Sequence, residues 1–209
     1  MNKKKIFKEE FKKNKYKYMF LITIVIIGFI TGIICSNILS YNDQKEITEI
    51  VKTYFINLKN GEEINYFNNF LNNTLVNYFY MILLFIFSLS IIGIILNIFI
   101  LYFKSFILGF SIGIIINIYS FKGIIFGILY LFPHQIINLI IYILLSFYGI
   151  LLSIRLFKSL FMHKNFNSKE FMKKYFKVLA FSFIVLLISS LYETFFYDFI
   201  MKVFTFLII

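Results

Sequence analysis

The sequence predicts an all-α integral membrane protein with about five transmembrane helices, one further re-entrant or short helical segment, and a cytoplasmic N-terminus. Three observations lead there. Hydrophobic residues make up 60% of the 209 positions, and the mean hydropathy is +0.85, whereas a soluble domain is nearer ~45–50% apolar. The apolar residues fall in runs that reach the ~20 residues a bilayer crossing needs. The basic residues gather in blocks beside those runs, as the positive-inside rule expects of cytoplasmic segments.

The first basic block occupies residues 1–18, where eight lysines face Glu9 and Glu10. An apolar run follows over residues 19–40 and is the first span. It is longer than a secretory h-region of ~7–15 residues and lacks a small-residue cleavage site, so it reads as a retained anchor. Cys35 within it is the only cysteine, which excludes an intramolecular disulfide.

Residues 41–77 hold Asp43, Glu46, Glu49, Glu62 and Glu63 against Lys45, Lys52 and Lys59. That depletion of positive charge places them outside. Ile47, Ile50, Val51, Tyr54, Phe55 and Leu58 recur at helical spacing, and after Gly61 the pattern resumes at Ile64, Phe67, Phe70 and Leu71. Two short amphipathic helices near the outer interface are expected. Their apolar faces either close the bundle as a lid or dock a partner, with Ile50, Tyr54 and Phe55 as the candidate partner surface.

The second span is expected near 78–103, ending inside at Lys104, and the third near 105–119. Residues 122–132 are apolar but only about half a crossing long, which suggests a re-entrant segment. Pro133 suits the first turn of a new helix, where its missing N–H has no cost. A fourth span near 133–154 ends at the second basic block, a cytoplasmic loop over 155–177 with seven cations against Glu170. The fifth span covers about 178–197, and Asp198 and Lys202 mark an interfacial tail. This topological role accounts for the +11 net charge without nucleic-acid binding. The blocks would also attract anionic lipid headgroups of the bilayer.

Candidate functional residues are few. Glu193 lies in an apolar run, and intramembrane carboxylates face the bundle interior or a partner. His134 falls at the same outer depth. The two either form a structural pair, or Glu193 is solvated at the headgroups, or it handles ions or protons. Ser105, Gly109 and Gly113 share one face of the third span, and Gly123 and Gly127 repeat the spacing. Such faces let backbones approach closely. Internal packing is favoured over a homodimer seam. Asn97, Asn117 and Asn138 are placed to make interhelical hydrogen bonds. Chemistry is not indicated: His134 and His163 are the only histidines and are expected on opposite sides. No phosphate loop, nucleophile elbow or HExxH pair occurs. No catalytic residue, metal site or cofactor is expected.

Three segments carry a resemblance: FKSFILGFSIG (Phe103–Gly113), KGIIFGILYLFPHQ (Lys122–Gln135) and LYETFFYDFI (Leu191–Ile200). Together they resemble the stage II sporulation protein M family, in order and register, from about Asn77 to Ile200. The family's motifs differ in three places: Phe132 precedes the proline where Leu is usual, Ser105 stands where Gly is frequent, and Phe195–Tyr197 replaces a Ser-Pro continuation. The resemblance implies a non-catalytic membrane subunit of the engulfment machinery in endospore-forming bacteria. Such a subunit anchors two peptidoglycan-degrading partners, stage II sporulation proteins P and D, at the septal or mother-cell membrane. The alternative from the residues is a transporter or channel subunit built on the re-entrant segment and Glu193.

Overall fold

The computed structural model describes residues 3–59, 65–128, 132–162 and 168–208, with side chains for 14–57, 65–128, 133–161 and 169–196. Six helices follow one another: α1 (Lys3–Ile38), α2 (Tyr41–Lys59), α3 (Tyr66–Ser88), α4 (Gly93–Phe126), α5 (Phe132–Met162) and α6 (Ser168–Ile208). Hydrocarbon offers no partner to a bare N–H or C=O, so an apolar chain satisfies its backbone within helices. Five of the six are long and apolar enough to cross a membrane, α2 being the exception. The expected five-span helical class is therefore the one found.

The spans differ from the expected ones at their ends. α3 begins at Tyr66, because the Asn65 side chain caps it by accepting from the Asn68 N–H at 3.0 Å. The second amphipathic segment is thus the outer part of a span. α3 also stops at Ser88, well before Lys104. A turn over residues 89–92 closes on its own backbone, with Leu89 N–H to Ile86 O at 3.1 Å and Gly93 N–H to Ser90 O at 3.1 Å. It needs no charged or proline-rich loop, which is why a largely apolar sequence hid it. α4 then carries Lys104 within its length rather than at an end. The 155–177 loop shrinks as well, since α5 runs to Met162 and α6 starts at Ser168. α6 continues as helix to Ile208, through the region expected to be a tail. Gly61, Glu62, Glu63, Ile64 and His163 lie outside the described residues, as do residues 129–131 of the re-entrant segment and the side chains of Asp198 and Lys202.

α5 is the central helix: 61% of its span is buried, against 44% or less for the others. Its Tyr142, Leu145 and Leu152 pack with Leu84 of α3, Leu101 of α4 and Tyr175 of α6. α1 and α4 form a parallel pair in which Gly28, Gly32 and Ser36 face Ser105, Gly109 and Gly113. A Cβ at Gly32 would overlap the Phe106 carbonyl, and one at Gly109 the Phe29 carbonyl. Backbones this close gain dispersion contacts that larger residues would forbid. Three polar contacts fix the register: Ser105 Oγ donates to Val25 O at 2.6 Å, Asn117 Nδ2 to Ser36 O at 3.2 Å, and Thr31 Oγ1 lies 2.9 Å from Tyr102 Oη.

At Ser120 α4 breaks, with φ 51° and ψ −125°. The chain then doubles back. Gly123 sits against Ile115 and Ile116, and Gly127 against Ile112. The segment after Ser120 therefore returns along the outer end of the helix it left, as the re-entrant reading expects.

Two substitutions test this packing. Gly109→Leu should lower stability by about 1–3 kcal/mol through overpacking against α1, read as the unfolding midpoint in detergent. Positive φ disfavours β-branched residues and suits glycine, so Ser120→Val should be less stable than Ser120→Gly by about 1–3 kcal/mol in the same assay.

Candidate functional site

Most of the polar side chains of interest lie at two depths in the bundle. Nearer the basic end, Ser88 is the centre: its hydroxyl lies 3.0 Å from Tyr175 Oη and accepts from Asn97 Nδ2 at 3.3 Å, while Ser153 Oγ donates to its carbonyl at 3.2 Å. Gly149 makes room, since a Cβ there would overlap the Ser88 hydroxyl. Towards the outer end, Asn77 of α3 is the centre. It donates to Ser190 Oγ at 3.1 Å, and its Oδ1 accepts from Tyr142 Oη at 3.0 Å and Asn138 Nδ2 at 3.3 Å. Asn97, Asn117 and Asn138 thus each make an interhelical hydrogen bond. Each such bond in a membrane contributes roughly 0.6–2 kcal/mol.

The outer layer also carries charge. His134, in the first turn of α5 just after Pro133, is 1% exposed, and its Nε2 lies 3.4 Å from Glu193 Oε1. Of the three readings of Glu193, the paired geometry is the one observed. Ser189 Oγ donates to the His134 carbonyl at 3.3 Å and holds the α5 start against α6. Lys104 is 8% exposed, with its ammonium 4.6 Å from the centre of the Tyr80 ring. The Glu193 carboxylate is within electrostatic reach of both Lys104 and Tyr142. A cation over an aromatic face and near a carboxylate keeps its charge tolerable in low dielectric. The group spans α3, α4, α5 and α6 through Tyr80, Lys104, His134 with Tyr142, and Glu193.

Lys104 is the functional candidate that sequence reasoning passed over. It looked like the inner end of a span because the turn at 89–92 carries no charge. A reading that counted Ser88, Ser90 and Gly93 as a turn would have put Lys104 mid-helix, where a lysine demands a partner.

The remaining candidates fall in two places. Ser105, Gly109 and Gly113 line the α1 seam, so that face is filled by the chain itself. Gly123 and Gly127 line the fold-back. Above it lies α2, started by Ser40, whose Oγ accepts from the Asp43 N–H at 3.3 Å and donates to Asp43 Oδ2 at 2.6 Å. Phe55 is 4% exposed and packs edge-on to Tyr119 and Phe126, with ring centres 5.6 and 5.9 Å away. Ile50 and Tyr54 are 62% and 45% exposed. Partial burial still pushes the Tyr54 phenol above its ordinary value, which keeps it a neutral hydrogen-bond donor. The expected partner surface is therefore split. Phe55 is the anchor holding α2 to the bundle, while Ile50 and Tyr54 face away. α2 takes the lid role with one side and leaves the other open.

Among the described residues, no three His, Cys, Asp or Glu side chains gather as a metal site. The charged group holds a cation, a carboxylate and an imidazole across four helices. Its evident physical effect is to tie those helices together at the outer end. A double-mutant cycle on Lys104→Met and Glu193→Gln should show coupling of about 1–2 kcal/mol, read from unfolding in detergent. Additive effects would mean that the two charges do not interact.

Comparisons with curated proteins and with solved structures gave no match. The model of one protein family, described as stage II sporulation protein M, matches residues 20–196. That stretch runs from the start of the first apolar run to just past Glu193; it takes in the first two motifs whose resemblance pointed the same way and the first six residues of the third. The matched region covers well over half of the sequence, and the chain belongs to the stage II sporulation protein M family.

Proposed function

We propose that this protein is a non-catalytic membrane scaffold of the sporulation engulfment machinery. It recruits peptidoglycan-degrading partners, stage II sporulation proteins P and D, and localises them at the septal membrane. Family membership supports the sporulation role, and five membrane helices support the membrane anchorage. The observation that carries the scaffold reading is the divided face of α2. Phe55 pins the helix to Tyr119 and Phe126, so the exposed Ile50 and Tyr54 are held in a fixed position. An apolar face fixed in that way suits a partner better than a flexible loop does, because less ordering remains to be done on binding. Catalysis then belongs to the partners, beyond the membrane where wall polymer lies.

The test is co-purification from sporulating cells. Replacing Ile50 and Tyr54 together by Asp should reduce recovery of the wall-degrading partners by about tenfold or more. Membrane level and unfolding midpoint should hold, because Phe55 is untouched. Full recovery of partners with the double variant would remove α2 from the docking surface.

A transporter or channel subunit is the second reading, favoured by the buried Lys104, His134 and Glu193. Ionisable groups inside a bundle mark ion or proton paths in many membrane proteins. Flux through proteoliposomes that is abolished by Glu193→Gln would favour this reading. Equal leak in both proteins would leave the group a structural one.

A further inference from the structure

At the basic end of the bundle, two concavities share a wall. One is a cavity of about 560 Å³ between α1, α5 and α6, lined by Lys17, Arg155, Lys158, Glu170 and Lys174 together with Tyr148 and Phe171. Among the described residues, four cations and one carboxylate line it. Two of them rest on aromatic rings: the Arg155 guanidinium is 4.2 Å from the centre of Phe171, and the Lys174 ammonium is 5.8 Å from that of Tyr148. Long basic side chains held over rings lose less freedom when they bind an anion. The other concavity is a groove of about 270 Å³ between α1, α4 and α5, lined by Phe20, Leu21, Ile94, Ile98 and Phe147 among others. Lys17 and Ile154 line both. The apolar groove thus opens directly beside the basic cavity, at the level where the lysines meet the first span.

We infer that this pair of concavities binds one anionic phospholipid, with its phosphate among Lys17, Arg155, Lys158 and Lys174 and an acyl chain along the groove. Charge selects the headgroup, since basic pockets at the cytoplasmic end of transmembrane helices attract anionic lipid phosphate. The adjoining groove selects a lipid over a soluble phosphate, because only a lipid brings an apolar chain to cover Phe20, Ile94 and Ile98. The site is distinct from the outer charged group and from α2. It ties α1, α5 and α6 together at the end where the polar layer around Ser88 is the nearest other polar tie.

Native mass spectrometry of the full chain in neutral detergent tests this, with phosphatidylglycerol and phosphatidylcholine as probes. Phosphatidylglycerol should be retained preferentially. Lys17→Gln with Lys158→Gln should weaken that retention by about fivefold per cation and leave phosphatidylcholine unchanged. Both lysines are exposed, so the fold should hold. Ile94→Trp, which fills the groove, should also lower phosphatidylglycerol retention. Equal retention of the two lipids, or unchanged retention in the double lysine variant, would overturn the site. Displacement of the lipid by millimolar inorganic phosphate would assign the cavity to a soluble anion and overturn the lipid assignment.

Discussion

The rest of the structure hangs on the backbone contact between α1 and α4. In lipid, apolar side chains gain nothing by leaving water, so helices associate by close fit and by hydrogen bonds. Gly28, Gly32 and Ser36 on one helix, against Ser105, Gly109 and Gly113 on the other, give that fit. The seam positions the outer end of α4, and through it everything attached there. The Asn117 bond to Ser36 O locks the last turns before Ser120. The fold-back after Ser120 then rests on Ile112, Ile115 and Ile116, and Phe126 of the fold-back supports Phe55 of α2. A shift in the seam would therefore be felt at the exposed face of α2, some way along a chain of direct contacts.

Helices α3, α5 and α6 meet one another and α4 chiefly through polar layers. Asn77 joins α3 to α5 and α6, and Ser88 joins α3 to α4, α5 and α6. α5 enters both layers, which explains why it is the most buried span. The charged group sits beside the Asn77 layer, so the outer end of the bundle is held by both neutral and ionic contacts. Its members lie against one another: the Tyr80 ring faces the Lys104 ammonium, and the His134 ring lies beside the Glu193 carboxylate. Such a group is costly to bury and gives the helices a unique relative arrangement, because a rotation of any of the four would strand a charge.

Much of this was legible in the sequence, and for identifiable reasons. Run length and flanking lysines are strong signals, so five spans could be counted. Ser105, Gly109 and Gly113 pointed to a close helix contact, but not to its partner. Gly28 and Gly32, with Ser36, have the same spacing and would have named it. Pro133 and the short apolar run before it revealed the return of the chain, since half a crossing cannot reach the other side. The turn at 89–92 was easily missed because it carries no charge or proline: its bonds are mostly backbone bonds, with one from the Ile92 N–H to the Ser90 hydroxyl. Lys104 was misplaced as a direct consequence. Which side of α2 faces the bundle was equally out of reach: Tyr54 and Phe55 are adjacent, and only the rings of Tyr119 and Phe126, more than sixty residues on, decide that Phe55 is the one that turns in.

Ser120 links the local chemistry to the proposed role. A serine at φ 51° is held there by its surroundings and not by its own preference. Those surroundings are the seam below and the fold-back above, where Gly109 and Gly123 leave no room for a Cβ. A more flexible connection at this point would let the fold-back, and with it Tyr119, Phe126 and α2, move independently of the membrane bundle. Through Phe55, α2 rests on Tyr119 at the end of α4 and on Phe126 of the fold-back. The scaffold we propose would use this fixed support to present Ile50 and Tyr54 in one orientation.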